Sequence, residues 1–167
     1  LYIDCAEPIT VDRLPARLEG FVLGDSQTPK DTTGGLATSR SSVEAGIRIL
    51  QEHIPGFDIR SASLEEAEPW LHLLTEDSRR RLVANFHNRD ICQQARRLLM
   101  QENPDPEQLG RLLLEHHRHL RDGIGVSTPK LDRMIEAALE AGALGAKVNG
   151  SGGGGCMFAY APGRQEQ

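Results

Sequence analysis

Five of the six positions from 150 to 155 are glycine, with Ser151 the exception. The run lies between two short, mostly apolar, strand-like stretches, Leu144-Gly145-Ala146-Lys147-Val148 and Cys156-Met157-Phe158-Ala159-Tyr160. Glycine loses more backbone entropy on ordering than any other residue. Such a run therefore calls for positive φ at several positions, or for a ligand or second loop close against the main chain. A merely flexible connection is the third reading. Gly150, Gly152 and Gly155 also satisfy G-x-G-x-x-G. A dinucleotide fingerprint of that form follows a strand and opens a helix, whereas this one opens a strand. No Lys-Ser/Thr follows the glycines, which excludes a Walker A loop. The His-Arg-Asp and Asp-Phe-Gly signatures of protein kinases are absent.

Length and composition fit one globular domain: 167 residues, 38% hydrophobic and 26% charged. Aromatics make up only 4%, so the core must come mainly from Leu, Ile, Val and Ala. No apolar run is long enough to span a bilayer, and no membrane partner is expected. The net charge is -5. Arg79-Arg80-Arg81 and Arg96-Arg97 fall in a helical pattern rich in acids and polar residues, which reads as a solvated face and not a nucleic-acid surface. Cys5, Cys92 and Cys156 are odd in number and far apart. They read as reduced thiols of a cytoplasmic protein, without a disulfide framework or zinc site.

Residues 1–25 read as three strands: Leu1-Tyr2-Ile3, Pro8-Ile9-Thr10-Val11, and Phe21-Val22-Leu23-Gly24-Asp25 as a buried apolar run. A polar loop over Ser26–Gly35 leads to a helix over Leu36–His53, with Val43, Ile47 and Leu50 on one face. Phe57-Asp58-Ile59 reads as a short extended piece. Ser63 and Glu66 form a capping box, and Pro69 opens a further turn. Long helices follow over Asp77–Glu102 and Glu107–Arg121, the latter with His116 at the core margin. Ser127-Thr128-Pro129 starts a helix that ends at Gly142. Strand, glycine loop and strand close the order. Helices segregated from a small antiparallel sheet make an α+β fold. The sheet looks under-stranded for its helices, and both ends read as cuts through something longer.

Lys147-Val148-Asn149-Gly150-Ser151-Gly152-Gly153-Gly154-Gly155-Cys156 resembles the third motif of the GHMP small-molecule kinases: a Lys or Arg, then a glycine run ending in Cys, between strands. Leu120-Arg121-Asp122 and Val126-Ser127-Thr128-Pro129-Lys130-Leu131-Asp132 are similar to the Leu-Arg-Asp and Val-Ser-x-Pro-Glu-Leu-Asp stretch of the galactokinase branch. His117 falls where that branch often has its Ser-His. Leu1-Tyr2-Ile3-Asp4-Cys5 and Phe21-Val22-Leu23-Gly24-Asp25-Ser26 resemble the strands that open the C-terminal half of galactokinases. Two places depart from that branch: the loop is all glycine where galactokinases carry Gly-Phe-Gly-Gly-Cys, and Gln27–Thr33 is not their usual sequence.

The resemblance implies one ferredoxin-like C-terminal kinase domain over residues 1–167, with 1–25 as the connection to an N-terminal domain. It implies transfer of the γ-phosphoryl of ATP, with Mg²⁺, to the hydroxyl of a small molecule, here a sugar. ATP and Mg²⁺ would be held mainly by the N-terminal domain, which is then this domain's partner. Asn149, Gly150, Ser151, Gly152, Gly153, Gly154 and Gly155 would line the cleft, with Lys147, Asp122, Asp25 and Ser26 in possible support. The resemblance places no catalytic residue and no metal ligand in this chain, which alone would be inactive. A non-catalytic ligand-binding or regulatory module descended from such a kinase is the other reading.

Overall fold

The computed structural model describes residues 1–30 and 34–163, the side chains of 34–36 excepted. Strands β1 (Tyr2–Asp4) and β2 (Thr10–Asp12) form an antiparallel hairpin. Strand β3 (Phe21–Asp25) enters a second, three-stranded sheet. Helix α1 (Gly34–His53), the short α2 (Leu64–Ala67), a 3-10 turn (Glu68–Leu73), α3 (Glu76–Leu99) and α4 (Pro106–Arg118) make the helical middle. A π-type turn (His119–Ile124), α5 (Pro129–Glu140), β4 (Gly145–Val148) and β5 (Cys156–Tyr160) complete the chain. The sheet order is β3-β5-β4, antiparallel throughout, with Asp25 opposite Cys156 and Val148 opposite Met157. The fold is α+β, as expected.

Local chemistry sets most boundaries. Ser63 accepts from Glu66 N–H while the Glu66 carboxylate accepts from Ser63 N–H, a complete capping box. Thr75 caps α3, Asp105 caps α4 and Thr128 caps α5, the last two followed by proline at the first helical position. Helix α1 begins at Gly34, two residues before its expected start. Of the expected extended piece, Phe57 and Asp58 have no regular structure and Ile59 enters a turn, with Asp58 Oδ1 accepting from Arg60 N–H.

Three apolar clusters hold the elements together. Leu50, Phe57, Leu74, Leu82 and Phe86 join α1 to α3. Ile91, Leu98, Leu109, Leu112 and Tyr160 join α3 and α4 to one face of the sheet. Leu131 and Ile135 of α5 cover the other face through Ala146, Val148, Met157 and Ala159. Strand β3 departs from expectation. Its apolar run is not buried: Phe21 is 45%, Val22 40% and Leu23 63% exposed. An apolar run bounded by turns looks like a buried strand in sequence, yet this one pairs only with β5 and lies at the sheet edge.

Helix α4 meets β4 backbone to backbone. A Cβ on Gly110 would collide with Leu144 O, and one on Gly145 would stand 2.7 Å from Gly110 Cα. Glycine at both positions permits this approach. Gly110→Ala is expected to lower stability by about 1–3 kcal/mol through overpacking. Urea unfolding of the variant checks this; an unchanged midpoint would show that the helix can simply move away.

Candidate functional site

The hairpin between β4 and β5 is a built loop and not a slack one. Gly150, Gly152, Gly153, Gly154 and Gly155 all have positive φ, from 69° to 126°. Two other segments also press against its main chain. Gly153 N–H donates to Val126 O at 2.8 Å, and a Cβ on Gly152 would stand 2.8 Å from Val126 Cβ and collide with Val126 O. On the other side, Gly155 N–H donates to Thr28 O at 3.0 Å, and a Cβ on Gly154 would lie 2.7 Å from both Thr28 O and Pro29 O. Ser26 N–H returns a bond to Gly155 O at 2.9 Å. Both conditions that require glycine, positive φ and a close second loop, therefore hold together.

Each flank has its own support. The Val126 segment leaves the π-type turn, whose last carbonyls are gripped from α3. Arg80 Nη1 donates to Asp122 O at 3.1 Å and also to Gly123 O, and Arg81 Nη1 donates to Ile124 O. Asp77 holds both guanidiniums, at 2.6 Å and 2.8 Å. The Arg81 and Ser42 hydrogen bonds in turn pull its carboxyl down to about 2. Arg80 keeps the expected solvated face, with its side chain 40% exposed, whereas Arg81 at 15% departs from it; together they clamp backbone carbonyls that the turn leaves unpaired. Beyond Val126, Ser127 Oγ donates to Asp132 Oδ1 at 2.5 Å. Asp132 stands 3.5 Å from Nε2 of His117, which is only 4% exposed and whose ring nitrogens have no hydrogen-bond partner among the described residues. His117 is buried, and His116 is half-buried at the core margin, as expected.

The residues singled out from sequence fall into two groups. Ser26 is fully buried and Asp25 accepts from Gln27 N–H, so both build the turn beside Gly155. Asn149 bonds Cys156 O through its backbone, leaving an exposed side chain at the loop entrance, and Ser151 is half-buried there. Lys147 and Asp122 are engaged elsewhere. The Lys147 ammonium donates to Val148 O at 2.8 Å and lies 5.2 Å from the Phe158 ring, and burial lowers its pKa. The Asp122 carboxylate is paired with Arg121, which holds it below the usual carboxylate range. The cation at the loop is one that sequence reasoning passed over, Lys30. Its Cε occupies the place of a Cβ on Gly155, with Nζ 3.1 Å from that place and 3.6 Å from the equivalent one on Gly150. It is the one Lys or Arg in the polar stretch 26–35, but only the β3–β5 pairing brings that stretch to the glycines. A cleft of about 460 Å³ lined by Tyr2, Asp58, Arg60, Asn85 and Arg89 contains none of the loop residues.

Residues 94–167 match the family described as GHMP kinases C terminal. The mevalonate kinase of Pyrococcus horikoshii is 43% identical over 79 residues, 46% of this chain and 24% of that protein. The galactokinase of Homo sapiens is 37% identical over 99 residues, 59% of this chain and 25% of that protein. The chain thus matches about a quarter of the length of these relatives. The solved galactokinase of Lactococcus lactis, complexed with galactose, superposes over 95% of this chain and 40% of its own, with a TM-score of 0.81 at 22% identity.

The histidines of α4 give the domain an acid limit. Burial pulls His116 down to about 4, with the Lys147 charge adding to it. Burial also lowers His117, against the opposing Asp132 carboxylate. Both are therefore neutral in the fold at pH 7, and on acidification the unfolded chain takes up protons first. Their stabilisation is whole above about pH 6.5 and is lost as the pH falls towards about 4. The stabilisation from Asp77 is whole above about pH 4 and is lost as the pH falls towards about 2, so it adds nothing to the slope between about pH 7 and 5. The urea midpoint is expected to fall between about pH 7 and 5, and His116→Gln to flatten that fall; an unaltered slope in the variant would contradict this assignment.

Proposed function

We propose that this chain, whose residues 94–167 match the C-terminal family of the GHMP kinases, forms one wall of the catalytic cleft of an ATP-dependent small-molecule kinase. The observation that carries the proposal is the glycine loop. Its main chain is pinned from two sides and presents no Cβ on five of six positions. A surface of that kind lets another group come within van der Waals reach of the backbone. Bound ATP would supply an activated phosphoryl group. In the transfer, its bond to the ADP oxygen breaks as one to the acceptor oxygen forms, and the acceptor proton leaves to a base. Phosphoryl transfer depends mainly on positioning and charge stabilisation. This chain's part is to shape the wall, exclude water from it and offer Asn149, Ser151 and Lys30 at its rim. Two of the loop amides are already spent on Val126 and Thr28. In this reading Mg²⁺ is held by the nucleotide and the partner domain.

That partner, in this reading, is the kinase's own N-terminal domain, and residues 1–167 are one domain joined to it through 1–25. The exposed Leu1, Ile3, Ile9 and Val11 of the β1–β2 hairpin, 56–80% accessible, support a covering surface at that end. No helix among the described residues is long and apolar enough to cross a membrane; the reading places the kinase in the cytoplasm. A sugar acceptor rests on the longer alignment with galactokinase, 59% against 46% of the chain, while the shorter alignment with mevalonate kinase is the more identical, 43% against 37%. The test is a coupled ADP-release assay of the longer protein carrying this chain, with a panel of sugars and with mevalonate. Sugar-dependent ADP release is the expected result. Turnover of mevalonate alone would keep the kinase and overturn the sugar, and no turnover with any acceptor would favour a non-catalytic binding module.

A further inference from the structure

We propose that Lys30 is the cation this domain contributes to a bound polyphosphate, held over the glycine loop between Gly150 and Gly155. The proposal rests on the reading of that loop as a cleft wall, and it adds a residue that neither the loop motif nor the family match contains: Lys30 lies outside residues 94–167.

The placement comes from backbone, not from side-chain packing. The segment 26–30 is docked on the loop through Ser26 N–H to Gly155 O and Gly155 N–H to Thr28 O, and by the approach of Thr28 O and Pro29 O to Gly154. The Ser26 hydroxyl accepts from Thr28 N–H at 3.3 Å and tightens the turn. Lys30 follows directly. Its aliphatic stem lies where Gly155 lacks a Cβ, and its ammonium comes out beside Gly150. The residue is exposed, and among the described residues none of the ion pairs involves it. Lys147, the other lysine near the loop, has its ammonium on Val148 O and the Phe158 ring. A chain of net charge -5 thus carries at this loop an accessible positive charge over a surface with one side chain in six positions. An ammonium is a compact point charge with three donors, suited to phosphate oxygens, and charge-assisted bonds of this kind are among the strong ones.

The test is binding of inorganic tripolyphosphate to the protein, followed by NMR at Gly150, Gly155 and the Lys30 side chain, for wild type, Lys30→Met and Lys30→Arg. Lys30→Met keeps the stem over Gly155 and removes the charge. It is expected to weaken binding about tenfold or more, with an unchanged melting temperature, while Lys30→Arg stays within about threefold of wild type. Equal affinity of wild type and Lys30→Met, or shifts in wild type that bypass Gly150 and Gly155, would overturn the proposal. This readout needs no turnover. Loss of tripolyphosphate binding in Lys30→Met together with an inactive longer protein would sink the kinase reading and leave the polyphosphate site standing.

Discussion

The main chain of residues 150–155 is in direct contact with two other pieces of main chain, Val126 on one side and Thr28-Pro29 on the other. Those contacts admit no Cβ at Gly152 or Gly154, and the rest of the architecture serves to hold the three segments in register. Pairing of β3 with β5 delivers the 26–30 turn. The arginine clamp from α3 fixes the π-type turn, and that turn delivers Val126. Helix α5 then covers the sheet behind the loop through Leu131 and Ile135. Ordering five glycines is entropically costly. The three inter-segment hydrogen bonds at the loop are each worth about 0.5–1.5 kcal/mol, and buried Ser26 and Val148 beside them add to the offset.

In the proposed kinase reading, this arrangement lets a glycine-rich loop in a strand–loop–strand setting serve phosphate chemistry. In a P-loop the amides of the glycines themselves grip the anion. Here Gly153 and Gly155 give theirs to protein carbonyls, and the positive charge comes from Lys30. The loop is better described as a smooth, rigid wall with a cation set into it. That division of labour suits a domain whose relatives are kinases about four times as long as the stretch it matches.

Much of the fold was legible because it is written in local chemistry. The capping box at Ser63, the Thr128-Pro129 helix start and the i, i+3, i+4 apolar stripe of α5 each depend on residues within one or two turns of one another. The glycine loop was legible as a constraint for the same reason. The larger misreadings concern long-range partners. Phe21-Val22-Leu23 has the pattern of a buried strand, and only its neighbours decide that it is an edge. Arg81 looks solvated until the π-type turn is placed against α3. Lys147 adjoins the glycines in sequence but points to the α4 side of the sheet, whereas Lys30 is remote in sequence and adjacent in space. His116 and His117 differ by one position on a helix, and burial of the second depends on where α5 lies.

The central claim is that the glycine loop is locked by backbone contacts and not slack, and native-state amide exchange reads this most directly. Gly153 and Gly155 N–H are predicted to exchange only through large-scale opening, with protection approaching that of the β4–β5 ladder. Exchange of both amides at the rates of an unstructured chain, with the ladder still protected, would show a flexible hairpin and contradict the account.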